Sequence, residues 1–96
     1  MKPCVYILYS DKLNKYYVGF TTNLEERLVF HKKAEGYKFT GKATDWEVFY
    51  VIACKSKSQG LAIESHIKRM KSKVYIENFL KYPELAKKLL DKYKGC

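Results

Sequence analysis

Hydrophobic and polar positions along the chain predict three strands and four helices. Two runs of residues, 4–9 (CVYILY) and 16–21 (YYVGFT), are rich in β-branched and aromatic side chains and have the length of strands. The segment between them, SDKLNK, contains several turn formers, which predicts a hairpin. Residues 46–54 (WEVFYVIAC) return to the composition of a strand.

A helix is predicted directly after the hairpin. Thr22 and Glu25 have the spacing of a capping box, and Leu24, Leu28 and His31 then recur at helical intervals, which indicates a helix over residues 23–33. Residues 34–45 contain two glycines and several polar and basic residues, which is typical of a loop. We expect this loop to expose two lysines, Lys38 and Lys42.

Three further helices are predicted after the third strand. Ser56 and Gln59 repeat the capping-box spacing and begin a helix over residues 57–71. Its expected apolar face contains Leu61, Ala62, Ile63, Ile67 and Met70. A short helix over 74–81 follows, and Pro83 suits the first position of a last, basic helix over 83–94, on which one face carries Leu85, Leu89 and Tyr93.

The order of elements, ββαβααα, predicts the fold class. A hairpin and a third strand reached through a helix imply a small mixed or antiparallel sheet of three strands flanked by helices, in the α/β (α+β) class. The 96 residues, of which 47% are hydrophobic, are enough for one compact domain, and no linker or repeat divides them. We therefore expect a single domain over residues 1–96.

The charge of the chain favours a polyanionic partner. The formal net charge is +9, and it is uneven: residues 1–54 contribute +2 and residues 55–96 contribute +7. This surplus favours nucleic acid over an anionic membrane surface, although a merely soluble basic protein can also carry it. The later helices are expected to provide most of the attraction for nucleic acid.

The cysteines and the apolar segments predict a cytoplasmic protein. Cys4, Cys54 and Cys96 are far apart and form no C-x-x-C pair, so neither a disulfide framework nor a zinc site is indicated. No segment reaches the roughly 20 apolar residues that span a bilayer, and the N-terminus lacks the apolar stretch of a signal peptide.

Two tyrosines of the hairpin are candidates for chemistry on a phosphodiester bond. Side chains alternate along a strand, so Tyr17 and Gly19 point to the same side. If Tyr6 on the paired strand faces that side too, two phenols stand beside a patch of bare backbone. Taken alone, strand tyrosines more often pack in the core than take part in catalysis.

Three charged or titratable residues on helices complete the candidate set. Arg27 and His31 are four residues apart on one helical face, where they could bind a phosphate. The spacing alone favours a solvated surface position for Arg27 and a half-buried core position for His31. Glu64 lies within an apolar stretch and needs a partner. A divalent cation such as Mg²⁺ and an i,i+4 salt bridge to Lys68 satisfy that need equally well.

Together these residues resemble the GIY-YIG nuclease family. The two name-giving triplets are similar to Cys4-Val5-Tyr6, in which only the leading glycine is changed, and to Tyr17-Val18-Gly19. The segment TTNLEERLVFH matches the family's helix with its arginine and histidine, at Arg27 and His31, and AIESHIK matches the helix with its glutamate, at Glu64. The segment YIENF offers Asn78 for the asparagine found in many members. The resemblance covers residues 3–80.

The resemblance implies a fold, an activity and roles for these residues. The fold would be a three-stranded antiparallel sheet flanked by helices, as in small stand-alone bacterial members and in the catalytic domain of the excision-repair nuclease subunit. The activity would be metal-dependent endonuclease cleavage of DNA, in repair or processing, with one Mg²⁺ or Mn²⁺ ion held by Glu64. Tyr17 or Tyr6 would be the general base or would orient the attacking water, Arg27 would stabilise the pentacovalent phosphate, and His31 would assist. The resemblance and the positions in the chain assign substrate binding to Gly19, Lys68 and Asn78.

The sequence also allows two non-enzymatic interpretations. One is a non-catalytic module that keeps this fold and holds nucleic acid through its basic helices. The other is a protein-interaction domain whose exposed tyrosines and last helix dock a partner that supplies targeting.

Overall fold

The computed structural model describes residues 2–33 and 46–95, and the side chains of residues 29–33 are outside that description. The predicted loop over 34–45, with Lys38 and Lys42, lies outside the described residues. The described elements follow the predicted order: β1 (Cys4–Ser10), β2 (Lys15–Thr21), α1 (Leu24–Lys33), β3 (Glu47–Ala53), α2 (Lys57–Met70), α3 (Lys73–Lys81) and α4 (Glu84–Lys92).

The three strands form one antiparallel sheet in the order β2-β1-β3. The central strand β1 is buried on both faces, which explains why its sequence is a continuous apolar run rather than an alternating one. Its pairing with β2 is regular and sets Tyr6 opposite Gly19. Its pairing with β3 contains a register shift between Ile7 and Leu8. The predicted antiparallel sheet is confirmed.

One face of the sheet carries the main core. Val5, Ile7 and their neighbours on β2 and β3 pack against apolar residues of α2, α3 and α4. The fully buried residues of this core include Val5, Ile7, Ile63 and Phe79. Burial of this many aliphatic and aromatic side chains supplies most of the free energy that stabilises the domain.

The opposite face of the sheet carries a smaller cluster that includes both candidate tyrosines. Tyr6, Leu8 and Trp46 are buried there, and Tyr17 and Leu13 from the hairpin pack against them. Leu24 and Leu28 of α1 cover the cluster, as their predicted helical spacing required. The two layers of helices therefore lie on opposite faces of the sheet.

The N-terminal cap of α1 differs from the prediction, whereas that of α2 agrees with it. The Oδ1 atom of Asn23, not Thr22, accepts a hydrogen bond from the backbone N–H of Glu26 at 3.2 Å, so the predicted cap of α1 was wrong by one residue. The α2 cap is confirmed, because Ser56 Oγ accepts from the Gln59 N–H at 3.1 Å.

The buried face of α2 is rotated from the predicted one. Ile63 and Ile67 are buried as expected, but Leu61 and Met70 are exposed, so their predicted place in the core was wrong. Gln59 takes part in the buried face instead, where its Nε2 donates to the carbonyl of Leu90 at 2.9 Å and so ties α2 to the end of α4.

Gly60 fixes how closely α2 approaches β2. A Cβ atom at this position would collide with the ring of Phe20 on β2. A glycine costs a helix roughly 1 kcal/mol relative to alanine, and here it allows the helix to lie against the edge strand. This close approach brings the middle of α2 beside the hairpin. Within the described residues, no helix is long and apolar enough to cross a membrane.

Candidate active site

The hairpin register places the two candidate phenols on the same face of the sheet. The ring centroids of Tyr6 and Tyr17 are 6.3 Å apart, and Trp46 meets Tyr17 edge-on with its centroid 6.4 Å away. Such tilted and edge-on arrangements are favoured by the charge distribution of aromatic rings. Tyr6 is only 1% exposed, whereas Tyr17 is half-buried, so Tyr17 is the phenol that solvent reaches more readily.

Residue 19 must be a glycine because the Tyr6 side chain packs directly on it, and its backbone is therefore covered. A Cβ atom on Gly19 would collide with the hydroxyl oxygen of Tyr6 and lie 3.0 Å from its Cε1. The phenol of Tyr6 thus lies directly over β2 and covers the patch that the sequence suggested would be open. Because β2 is an edge strand, the hydroxyl group extends towards the edge of the sheet where α2 passes.

The electrostatics of Tyr6 show that residues far apart in sequence converge. Burial raises the pKa of the Tyr6 phenol well above its usual value of 10, and the neighbouring phenol of Tyr17 raises it further. The guanidinium of Arg27 lowers this pKa, and the carboxylate of Glu64 raises it. The hairpin, α1 and α2 therefore each contribute at least one group that acts electrostatically on the Tyr6 hydroxyl.

Glu64 lies on α2, the helix that packs against the other face of the sheet. Its side chain is 19% exposed, and its Oε2 atom lies 3.2 Å from the Nζ atom of Lys68, one helical turn later. The i,i+4 salt bridge, one of the two alternatives that the sequence left open for Glu64, is present. Because the Lys68 side chain is 53% exposed, solvent screens the pair, which is worth only about 0–1 kcal/mol and does not hold the carboxylate strongly.

The donor atoms at the site fit a cation that needs few protein ligands. Among residues 2–33 and 46–95, no group of three or more His, Cys, Asp or Glu side chains is arranged to hold a metal. A Mg²⁺ or Mn²⁺ ion commonly takes one or two carboxylates and fills its remaining positions with water and phosphate oxygens. The single partly buried carboxylate of Glu64 suits that mode of binding, in which water and phosphate oxygens supply the other ligands.

Two predicted site residues are not joined to this group by the described contacts. Asn78 lies on α3, which packs on the opposite face of the sheet from Tyr6, and its carbonyl accepts a hydrogen bond from the Tyr82 N–H at 2.7 Å. His31 belongs to α1, but its side chain is outside the described residues. A role for either residue stays a prediction.

Several residues near the site were missed from the sequence. Trp46 was assigned only to a strand, yet it precedes β3 and packs beside Tyr17. Lys15, Lys71 and Lys73 border a groove that also contains Tyr17 and Lys68. Their positive charge was visible in the sequence, but their convergence was not, because they come from three different elements.

Comparison with known proteins identifies the family of this chain. Residues 2–78 match the model of the GIY-YIG catalytic domain family. A UPF0213 protein of Streptococcus pneumoniae serotype 4 (strain ATCC BAA-334 / TIGR4) is 32% identical over 70 residues, which cover 73% of this chain and 70% of the relative. UPF0213 proteins of Oceanobacillus iheyensis and Natronomonas pharaonis are 38% and 37% identical, and each match covers 69% of this chain and 76% of the relative. No solved structure matches at a comparable level.

The fold and the match define the class of protein: a three-stranded antiparallel sheet between helices, of the kind found in GIY-YIG nucleases. The chain belongs to the GIY-YIG catalytic domain family, and its similarity to UPF0213 proteins covers more than two thirds of their length. The domains of this family are generally nucleases, and they typically use divalent metals.

Proposed function

We propose that this protein is a divalent-metal-dependent endonuclease that hydrolyses phosphodiester bonds in DNA, in repair or processing within the cytoplasm. The observation that carries the proposal is the shared face of Tyr6 and Tyr17, whose ring centroids lie 6.3 Å apart. The charges of Arg27 and Glu64 both act on the Tyr6 phenol. A guanidinium, a carboxylate and two phenols are groups suited to in-line attack on a phosphate.

Arg27 would bind and stabilise the phosphate. Its side chain is exposed at the start of α1, and its positive charge acts on the Tyr6 hydroxyl. A guanidinium is permanently charged and planar, so it can hold two nonbridging oxygens as negative charge grows on them in the transition state.

The two tyrosines would have different roles. Because burial favours the neutral form of Tyr6, this phenol is suited to donate a hydrogen bond rather than to accept a proton. Tyr17 is half-buried and borders the open groove, so it is the phenol placed to orient or deprotonate the attacking water. This division assigns the base role, which the sequence left open, to Tyr17.

Glu64 would hold the metal ion. A divalent cation bound there supplies positive charge against the nonbridging and leaving oxygens of the phosphate. Lys68, which pairs with Glu64, is placed to exchange that carboxylate for a phosphate oxygen of the substrate. His31 and Asn78 are retained as candidates for assisting the phosphate and ordering the substrate.

A plasmid-nicking assay tests this function. Purified wild-type protein is incubated with supercoiled DNA in Mg²⁺, in Mn²⁺ or in EDTA, and the nicked form is quantified. We expect metal-dependent nicking that falls by about a hundredfold or more in Glu64→Gln and in Arg27→Ala.

The chain offers a matched control for each variant. Glu84→Gln removes the same charge from the exposed start of α4, and Arg69→Ala removes the other arginine, which is exposed on α2. Both controls should keep wild-type activity, and the fluorescence of the single tryptophan reports whether each variant is folded. Nicking that survives in both site variants would refute the proposed function.

The two competing interpretations give other results in the same experiments. A non-catalytic module would bind nucleic acid tightly, with a steep salt dependence and without metal, yet never cut a strand. A protein-interaction domain would show no affinity for DNA or RNA even at low salt.

A further inference from the structure

A groove crosses the edge of the sheet next to the candidate active site. Its volume is about 430 Å³, within the range of roughly 300–1,000 Å³ that is common for small-molecule sites. Residues 15–18 of β2 form one wall, and the end of α2 with the beginning of α3 forms the other. Because β2 is an edge strand, neighbouring residues that face opposite sides of the sheet, Tyr16 and Tyr17, both border the groove.

The rim of the groove is positively charged. Four lysines line it, and none of the described residues that line it is acidic: Lys15, Lys68, Lys71 and Lys73. Lys68 pairs with Glu64 at 3.2 Å, and Lys73 donates to the carbonyl of Asn14 at 2.6 Å. Such a concentration of one sign of charge attracts anions and raises their local concentration.

The junction of α2 and α3 gathers three of these lysines. Lys71 ends α2 in the left-handed conformation, with φ 47° and ψ 40°, and Ser72 immediately caps α3 by accepting from the Tyr75 N–H at 3.1 Å. The left-handed region costs a non-glycine residue about 1–2 kcal/mol. The sharp turn sets the last turn of α2 and the first turn of α3 around the same opening.

The floor of the groove is apolar. Val18 of β2, Ile67 of α2 and Ile76 of α3 line it, and all three are buried against the main core. The half-buried ring of Tyr16 adds an aromatic surface, held by Phe49 with ring centroids 5.0 Å apart. An occupant of this groove therefore needs an anionic part for the rim and a flat or apolar part for the floor.

We propose that the groove binds unpaired nucleotides of a nucleic-acid strand next to the phosphate that is cut. An unpaired base presents its apolar face and can rest on an aromatic floor, while its phosphates meet the lysine rim. A duplex keeps its bases stacked inside, so it would contact the rim and leave the floor uncovered. The inference rests on the proposed function, since it names the substrate class of the same site, with which the groove shares Tyr17 and Lys68.

Binding without cleavage tests the inference. In EDTA, fluorescence anisotropy measures the affinity for a labelled oligodeoxythymidylate of about ten nucleotides, a length within the site sizes of roughly 4–16 nucleotides known for single-strand binders. A duplex of the same length is measured in parallel. The groove variant combines Lys15→Gln with Lys71→Asn, because asparagine tolerates the left-handed backbone of residue 71. The control combines Lys87→Gln with Lys88→Gln on the exposed face of α4.

We expect the wild type to prefer the single strand, and the groove variant to bind the single strand more weakly than the wild type does. Each lost phosphate contact lowers the slope of log affinity against log salt by about 0.7 for single strands. The loss of two lysines therefore lowers the slope by about 1.4, which corresponds to a loss of affinity on the order of fiftyfold at about 50 mM salt. The control should bind the single strand more tightly than the groove variant does, because Lys87 and Lys88 do not line the groove. Lys15→Gln alone, which leaves the helix junction intact, should show about half of the change in slope.

Equal affinity of the groove variant and the control would overturn the inference, as would a duplex that binds the wild type as tightly as the single strand. The outcome is separable from that of the plasmid assay. If the protein never cuts DNA, but the variant at Lys15 and Lys71 alone loses binding to the single strand, the proposed function is contradicted. The ligand assigned to the groove then stands.

Discussion

The hydroxyl group of Tyr6 occupies the space in which a side chain at residue 19 would begin. The two residues are direct partners in the register of β1 and β2, and only glycine leaves room for the phenol at that point. The family's paired motifs thus have a steric basis in this protein: the tyrosine of the first strand and the glycine of the second form one structural unit.

Gly19→Ala should therefore damage the site through Tyr6. The added methyl group would force the phenol away from β2, at a cost to the free energy of unfolding of about 1–3 kcal/mol, and should reduce nicking by tenfold or more at a temperature where the variant is folded. Urea unfolding and the plasmid assay measure the two effects.

Gly95→Ala is the matched control for this change, since a Cβ atom there would meet nothing within 4 Å. It should leave stability and activity unchanged. Full activity of Gly19→Ala would show that the position of the Tyr6 phenol does not matter to the reaction.

Tyr17→Phe and Tyr6→Phe should differ in their effect on the dependence of rate on pH. If Tyr17 activates the water, its loss should lower kcat by about 10²–10⁴ and flatten the rise of the rate with pH. Tyr6 keeps its proton because burial raises its pKa, so Tyr6→Phe should lower the rate by about tenfold and leave the shape of the profile unchanged.

Single-turnover rates measured between neutral and alkaline pH distinguish the two tyrosines. Tyr82→Phe, at an exposed position after α3, serves as the control and should have no effect. A flattened profile in Tyr6→Phe, with a normal one in Tyr17→Phe, would reverse the two roles.

Lys68→Met should increase the affinity of Glu64 for a divalent cation. The ammonium group of Lys68 lies 3.2 Å from the carboxylate and competes with the ion for it. Because such pairs are worth about 0–1 kcal/mol, we expect metal to bind up to about fivefold more tightly, with a change in stability below about 1 kcal/mol.

Calorimetric titration with Mn²⁺ in the absence of nucleic acid isolates this effect from any role of Lys68 in substrate binding. Lys87→Met on α4 is the control, and it should leave the affinity for Mn²⁺ unchanged. Tight Mn²⁺ binding that persists in Glu64→Gln would place the ion elsewhere.

Tyr16 should make the protein sensitive to alkaline pH. Burial, followed by the hydrogen bond to Glu77, raises the pKa of Tyr16 to about 12 from an unfolded value of 10. The folded state then holds a proton that the unfolded state releases, so this contribution to stability is complete below pH 10 and is lost as the pH rises towards 12.

The free energy of unfolding, measured at intervals across that alkaline range, checks the sign. Tyr16→Phe should lose stability less steeply than the wild type above pH 10, whereas the two proteins should run parallel at lower pH. Identical slopes throughout would mean that the hydroxyl group of Tyr16 titrates normally.

Local sequence determined most of the secondary structure of this protein. Continuous apolar runs gave β1 and β3 their length, helical spacing placed Leu24 and Leu28 on the sheet, and the cap at Ser56 began α2. These features depend on neighbours within a few residues, which is why the sequence reveals them. Alternation along β2 likewise predicted that Tyr17 and Gly19 share a face, whereas the register of the hairpin decided that Tyr6 joins them.

Tertiary packing decided what the local pattern left open. Asn23 rather than Thr22 caps α1, and Leu61 and Met70 remain exposed, because the final orientation of each helix on the sheet selects the residues it buries. Gly60 lets α2 lie close against β2, and the charge of Glu64 on that helix acts on the Tyr6 phenol. The sequence by itself thus determined the elements and the residue types of the site. Only the fold could bring a hairpin, two helices and the lysines of the groove together, since that proximity arises from long-range packing and not from spacing along the chain.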